Sequence, residues 1–433
     1  MKFIVSLVVI LGVLFGGVFF VAFTPTGNNI VKPIIEDRIN TQGNLKAQLK
    51  TFHLSSDSFD ILLELDAENT IAINGTFALF SQSFDANYDI QLNKLENLEK
   101  LINKALHGNF KTNGTAKGDM AFMQIDGVSD VLKSSTTYHV ELTDLNPTSI
   151  IAKMTDADLE TLLKLVGEKQ YAKAKINLDL NFKDIRSHQL DGDVLLTTHH
   201  GRLNTSLMND ELKMNIPKTT FEMKLDAHLK GDDVEYNYIF DSNLAKVTSV
   251  GNVVPVPLNV DVKYALDVSE LAVLQSITKA DIRGPFNLHG TAKGNKEKMT
   301  VVGLSDLASS DTSFTATRKD YRRSTLEASI KDLQLEKALY MAKQPHYTDG
   351  VFDLDIKMSD LKKGHLKGIV ISSIKDGLLN SKLLTEEKKF KTMMPTTKYS
   401  LDTYSMIEGD VIDTKVDFVS NLATIDIHQA RYN

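Results

Sequence analysis

The chain has 433 residues, 42% of them hydrophobic, which is enough to bury a substantial core and excludes a disordered protein. A net charge of -7 spread over that length predicts no basic face for nucleic acid or anionic lipid headgroups. Cys is absent, which excludes disulfides, thiolate metal sites and a cysteine nucleophile, and suits an oxidising compartment as well as a reducing one.

The first element follows Met1 and Lys2: from Phe3 to Phe23 (FIVSLVVILGVLFGGVFFVAF) there are 21 residues without a charge. As a helix at ~1.5 Å per residue this spans about 32 Å, enough to cross a bilayer core of roughly 30 Å. Residues 1–24 therefore read as a single transmembrane anchor. A cleaved signal peptide is the alternative, but it calls for a shorter apolar region and small residues before the cut, where Val21 and Phe23 stand. Lys2 is the only cation before Lys32, so the positive-inside rule places the N-terminus in the cytoplasm and the bulk across the membrane. In a bacterium with two membranes that is the periplasm.

Pro25 to Asn29 (PTGNN) reads as a turn-rich exit and Ile30 to Thr41 as a short helix ended by Gly43, together a linker over 25–43. From residue 44 onward, period-two alternation dominates. KINLDLNFK (Lys175 to Lys183) puts Ile176, Leu178, Leu180 and Phe182 on one face and polar residues on the other. Leu258, Val260 and Val262 alternate in the same way, as do Phe352, Leu354, Ile356 and Met358. Such strands have one apolar and one wet face, the mark of antiparallel sheet.

Helices are few. Over Asp156 to Val166, Leu159, Leu162, Leu163 and Val166 share a face, Thr155 and Asp158 form a capping-box pattern, and Gly167 closes the segment. Weaker helical patterns follow Leu95, Ser269 and Leu333.

These segments expose a duplication. Tyr88 to Asp130 aligns without a gap with Tyr264 to Asp306, 176 residues later, and each copy contains GTAKG, at Gly114 to Gly118 and Gly290 to Gly294. Lys175 to Asn204 matches Val351 to Asn380 at the same offset, down to the terminal Leu-Asn. Between these blocks the copies read as differing by compensating insertions. The organisation is thus a β segment at 44–87, a repeat unit at 88–204, a connecting β segment at 205–263, a second unit at 264–380 and a closing β segment at 381–433. A repeated supersecondary unit implies an elongated stack; roughly 25 strands at about 4.8 Å give on the order of 120 Å.

Catalytic patterns are weak. A phosphate loop needs glycines feeding a helix N-terminus, whereas GTAKG leads into strand-like MQIDG or MTVVG, and its glycines read as tight bends between strands. Ser129 and Ser305 lie in Gly-x-Ser but lack the second glycine of a nucleophile elbow, so they read as turn residues, with a hydrolase as the competing hypothesis. His188, His199 and His200 with Asp191 and Asp193 form a local ligand-like cluster, yet the second copy has Gly364, Lys375, Asp376, Lys367 and Ile369 there, which argues against a metal. Lys388, Lys389 and Lys391 beside Met393 and Met394 read as a solvated basic loop. No catalytic, cofactor or metal residue is assigned.

The anchor, the short helix running into alternating strands (VKPIIEDRINTQGNLKAQLKTFHLS), the repeated passes of the form YALDVSELAVLQSITKADIRGPFNLHGTAKG leading to VVGLSD, and the closing VDFVSNLATIDIHQARYN together resemble the AsmA-like proteins, relatives of TamB and YhdP. The resemblance covers nearly the whole chain and implies an inner-membrane-anchored periplasmic protein of Gram-negative bacteria. It further implies a long, curved antiparallel β-groove that takes phospholipid, moving it towards the outer membrane or keeping that membrane in order. No catalytic residue carries over. The expectation is therefore a non-enzymatic, mainly β protein whose apolar face holds acyl chains. The alternatives are a scaffold that engages an outer-membrane protein partner through its sheet edges, and a face covered by helices or a second sheet as an ordinary core.

Overall fold

Alternating apolar and polar side chains favour extended backbone wherever one face can be buried, and the chain takes that form along most of its length. The computed structural model describes residues 23–43, 46–78, 81–99, 105–213, 215–320, 323–362, 364–387 and 392–432. Residues 3–22 of the proposed anchor, including Phe3, and Lys388, Lys389 and Lys391 lie outside them. Among the described residues no helix is long and apolar enough to cross a membrane.

Two compact units are formed, Met1–Leu207 with Thr220–Asp232, and Met208–Thr219 with Asp233–Asn433. The strands of the first are β1 (Ala47–Leu54), β2 (Ser58–Leu65), β3 (Asn69–Ala78), β4 (Ser83–Leu92), β5 (Phe110–Gly118), β6 (Phe122–Ser129), β7 (Ser135–Thr143), β8 (Asn146–Asp158), β9 (Ala172–Asp184), β10 (Asp191–Leu203) and β11 (Thr220–Lys230). Each pairs antiparallel with its neighbour in sequence, giving an open meander. The second unit repeats this plan with β12 (Asp233–Ser242), β13 (Lys246–Val254), β14 (Asn259–Val268), β15 (Phe286–Asn295), β16 (Lys298–Ser305), β17 (Asp311–Lys319), β18 (Arg323–Gln334), β19 (Thr348–Asp360), β20 (Lys367–Leu379), β21 (Lys398–Glu408), β22 (Val411–Ser420) and β23 (Thr424–Tyr432). Among the described residues these strands too pair antiparallel with their sequence neighbours.

In a meander, alternate connections fall at the same end of the ladder. In each copy taken by itself one end, the helix rim, carries the helices: Leu95–Leu98, Val131–Lys133, Leu159–Leu165 and Thr205–Leu212 in the first, and Leu271–Leu274 with Gln275–Thr278, Leu307–Ser309, Leu335–Met341 and Ser381–Glu387 in the second. The other end, the turn rim, carries short connections such as 119–121, 144–145 and 185–190, matched in the second copy by 296–297, 320–322 and 361–366.

The duplication is read directly from element boundaries. β4, β6, β7, β9 and β10 recur 176 residues later as β14, β16, β17, β19 and β20 with identical bounds, and Leu159–Leu165 recurs as Leu335–Met341. Left-handed residues recur too: Leu132 with Ala308, Asp156 with Asp332, and His200 with Asp376. The compensating insertions expected between the blocks are absent; divergent side chains on an unchanged strand frame had the look of a gap.

Other boundaries also differ from expectation. Pro25 to Asn29 is not a turn but the first turns of a helix, Pro25–Gly43. Its N-terminus is stabilised by Thr24, whose Oγ1 accepts from the Gly27 N–H at 3.0 Å, and Pro at the first helical position forgoes no hydrogen bond. The capping box at Thr155 and Asp158 does not form, because both belong to the end of β8 and Asp158 makes no side-chain cap. Two helices escaped the sequence reading, Thr205–Leu212 and Ser381–Glu387. The paired Leu-Asn motifs mark their starts: Asn204 Oδ1 accepts from the Leu207 N–H and Asn380 Oδ1 from the Leu383 N–H.

The Pro25–Gly43 helix lies along the edge of β1 that β2 does not pair. Asn28 accepts from the Leu54 N–H at 2.8 Å and donates to the Leu54 carbonyl at 2.9 Å. Glu36 accepts from the Leu49 N–H at 2.7 Å, and Asn40 from the Ala47 N–H. Polar side chains thus occupy an edge that could otherwise pair with another chain.

Candidate functional site

Strand parity sorts each unit into two chemically distinct faces. On the inward face of the first unit, cross-strand register lines up Ile150, Phe182, Gly192 and Leu229 over β8 to β11. The next rows are Ala152, Leu180, Val194 and Ala227, then Met154, Leu178, Leu196 and Leu225. The opposite face of the same strands presents Lys153, Asp179, Asp193 and His228. This is an apolar lattice with strands about 4.8 Å apart and successive rows roughly 6.7 Å apart, backed by a mainly polar surface.

Its cover is uneven. Over β1 to β4 the apolar face is sealed: Leu92, Leu95 and Leu98 are fully buried, and Ile35 and Ile39 of the Pro25–Gly43 helix pack onto it. Phe23, the last residue of the proposed anchor, stacks on Phe77 of this face with ring centroids 5.8 Å apart. Farther along, Leu132, Ala157 and Ile176 are buried under Leu159, Leu162 and Leu165 of the helix rim. From Ile176 towards the turn rim the cover ends, and Leu178, Leu180 and Phe182 are only half-buried.

The residues singled out in the sequence fall as follows. Ile176, Leu178, Leu180 and Phe182 share the inward face of β9, and Phe352, Leu354, Ile356 and Met358 share that of β19. Val260 and Val262 lie together on β14, facing Gly294 and Ala292 of β15. Leu258 stands in the turn before β14, one residue short of the strand, so it is not part of the ladder. Sequence reasoning missed Val194 and Leu196 of GDVLL; Met223 and Leu225 belong to FEMKLDAHLK (Phe221 to Lys230), whose alternation reads as a strand in the sequence although these two residues are not singled out there. In the second unit the lattice is interrupted: Leu354 faces Ser372, which bonds Thr403 at 2.7 Å, and Ser405 bonds Thr414 at 2.9 Å. Each hydroxyl satisfies the other, so these inward positions stay polar at little cost.

The GTAKG stretches lie mid-sheet. Gly114 faces Gly127 across β5 and β6, and Gly290 faces Gly303 across β15 and β16. These first glycines are not at bends, as expected, but leave room for rings: a Cβ on Gly127 would sit 2.2 Å from Tyr88 Oη, and one on Gly303 would sit 2.2 Å from the Phe314 ring. Gly118 and Gly294, which close the motif at φ +137° and +139°, do need the left-handed region. Over the first pair, Tyr88 and Tyr138 hydroxyls meet at 2.7 Å, Thr112 meets Tyr138 at 2.5 Å, and Tyr88 donates to the Asp126 carbonyl at 3.1 Å. Burial, and then the Tyr138 hydrogen bond, push the Tyr88 phenol far above its ordinary value, so it remains a neutral donor. The second copy places Leu288 and Phe314 at the positions of Thr112 and Tyr138, an apolar substitute for the hydroxyl cluster.

No catalytic constellation assembles around the other sequence candidates. Ser129 Oγ donates to the Lys111 carbonyl at 2.8 Å, and Ser305 Oγ is buried with no hydrogen-bond partner. The histidine cluster disperses: His188 pairs with Asp232, His199 with Asp156, and Asp193 with His228. On the same polar face the Asp126 carboxylate, 2.7 Å from His139, raises that imidazole above its ordinary range. Among the described residues no group of three or more His, Asp or Glu is placed to hold a metal ion.

The chain matches no protein-family model, no curated protein and no solved structure.

Proposed function

We propose that this protein holds or conducts phospholipid acyl chains along the apolar faces of its sheets. In this reading residues 3–23 anchor it in a bacterial inner membrane, the strands stand in the periplasm, and its role is to support the lipid balance of the outer membrane. The supporting observation is the half-buried lattice of β8 to β11, apolar in three successive rows, polar on its back, and covered only at the helix rim. An acyl chain laid on it leaves water at about 0.8 kcal/mol per methylene, while its headgroup stays hydrated beyond the edge. The role needs binding and release rather than bond making.

The test is mass spectrometry of lipid retained by the full chain after mild extraction. Wild type is expected to retain phospholipid. Leu178→Asp with Leu180→Asp, and Leu354→Asp with Ile356→Asp, should lose it with circular dichroism unchanged. Asp179→Asn, on the wet face, should not. A wild-type protein free of lipid would end this reading.

A further inference from the structure

The overall charge of -7 conceals a local segregation that appears only when the two copies are compared position by position. On the turn rim of the second unit stand Lys296, Lys298, Arg318, Lys319 and Arg323; the residues 176 positions earlier are Met120, Phe122, Leu142, Thr143 and Pro147. Five cations replace five uncharged residues on the same frame. The turns that hold them are adjacent, since Asp320 N–H donates to the Glu297 carbonyl at 2.8 Å and Leu361 N–H to the Ser324 carbonyl at 3.1 Å.

Register makes this arrangement costly. Lys298 lies directly opposite Lys319, so two cations face one another across β16 and β17. Like charges directly opposed destabilise a sheet. None of Lys296, Lys298 and Lys319 is in a salt bridge among the described residues. On the turn rim of the first unit Arg186 pairs with Asp184 and Lys117 with Asp85; Lys183 and Lys230 are in no salt bridge among the described residues, but Lys230 lies opposite Asp191 rather than opposite another cation. The neighbouring row, Met299, Arg318 and Ser324, has the parity of the apolar face, so Arg318 borders the surface on which acyl chains are proposed to lie, while Lys298 and Lys319 stand on the polar face at the same end of the strands.

We infer that the turn rim of the second unit is a phosphate-binding site, formed by Lys296, Lys298, Arg318 and Lys319, that takes the anionic headgroup of a phospholipid whose tails rest on the adjoining apolar face. The inference rests on the proposed function for the tails and stands on its own for the phosphate. An anion at the rim relieves the opposed lysines, while the first unit, whose rim cations lie opposite no other cation, binds tails without regard to charge.

The experiment uses the full chain in a non-ionic amphipathic polymer and three soluble probes: dihexanoyl phosphatidic acid, dihexanoylglycerol and glycerol 3-phosphate. Wild type is expected to bind the phosphatidic acid about tenfold more tightly than dihexanoylglycerol, an advantage that shrinks as salt rises. The Lys298→Gln, Arg318→Gln, Lys319→Gln variant should bind both lipids equally, retain its affinity for dihexanoylglycerol and melt at a higher temperature because the opposed charges are gone. Equal binding of the two lipids by wild type, or an advantage retained by the variant, overturns the inference and leaves the apolar-face reading standing. Glycerol 3-phosphate binding as tightly as the phosphatidic acid overturns the headgroup assignment in favour of free phosphate esters. Failure of dihexanoylglycerol to bind counts against the apolar-face reading alone, because the phosphate site is judged by the charge-dependent difference.

Discussion

Gly290 and Gly303 face one another, yet a methyl group on each meets a different obstacle. At Gly290 the added Cβ would lie 1.8 Å from the Val302 carbonyl oxygen, which is backbone committed to the ladder. At Gly303 it would meet the Phe314 ring, a side chain that can be exchanged. Gly303→Ala is therefore expected to destabilise by about 1–3 kcal/mol, the usual range for overpacking, and to recover most of that loss when combined with Phe314→Leu. Gly290→Ala should cost more and should not be rescued by Phe314→Leu. Denaturant melts of the two double-mutant cycles decide it, and equal rescue at both positions would rule out this account. The sequence made these glycines visible through their repetition but not their purpose. A mid-strand glycine and a turn glycine look alike until cross-strand register places a tyrosine or phenylalanine over one of them.

At the level of single elements, strands were the legible part, because a period of two survives any choice of neighbour. Short helices were legible only in part: Leu159–Leu165 and Leu335–Met341 lie where the sequence showed a helical pattern, whereas at Thr205–Leu212 and Ser381–Glu387 seven or eight residues give barely two turns of periodicity and only the Asn204 and Asn380 caps announced them. The Pro25–Gly43 helix has a task its composition hides, which is to close the free edge of β1. Asn28 is 6% exposed and holds both backbone groups of Leu54, so Asn28→Ala should lose about 1–3 kcal/mol of stability through buried polar groups left unmet. The uncovered edge should also favour strand-to-strand association. Size-exclusion chromatography after mild heating should show more multimer for the variant than for wild type. An unchanged elution profile with unchanged stability would mean that the edge needs no such cover.

For the molecule as a whole, the duplication was legible in sequence because glycines and Leu-Asn steps keep their spacing where the strand faces do not. What the strand faces do with their freedom was not legible. The hydroxyl pairs of β20 to β22 and the cations of the second turn rim sit at positions whose neighbours are set by register rather than by adjacency in the chain. Within each unit, a meander whose described strands bond only to their sequence neighbours also has a thermodynamic consequence. Stability is then close to a sum of nearest-neighbour terms, and a local defect opens a local segment. Ile176→Ala removes a buried side chain that packs with Leu132 and Ala157, a change typically worth about 2–5 kcal/mol. Hydrogen exchange should rise in β8, β9, β10 and the Leu159–Leu165 helix while β2 and β3, whose core is built around Ile61, Leu63, Ile71 and Ile73, keep wild-type protection. Leu165 touches both cores, so exchange at that helix reports how far the defect spreads. An equal rise in β2 and β3 would show that the first unit unfolds as one cooperative body, in which case the apolar lattice could not open to a ligand near β9 without disturbing the sealed core near β3.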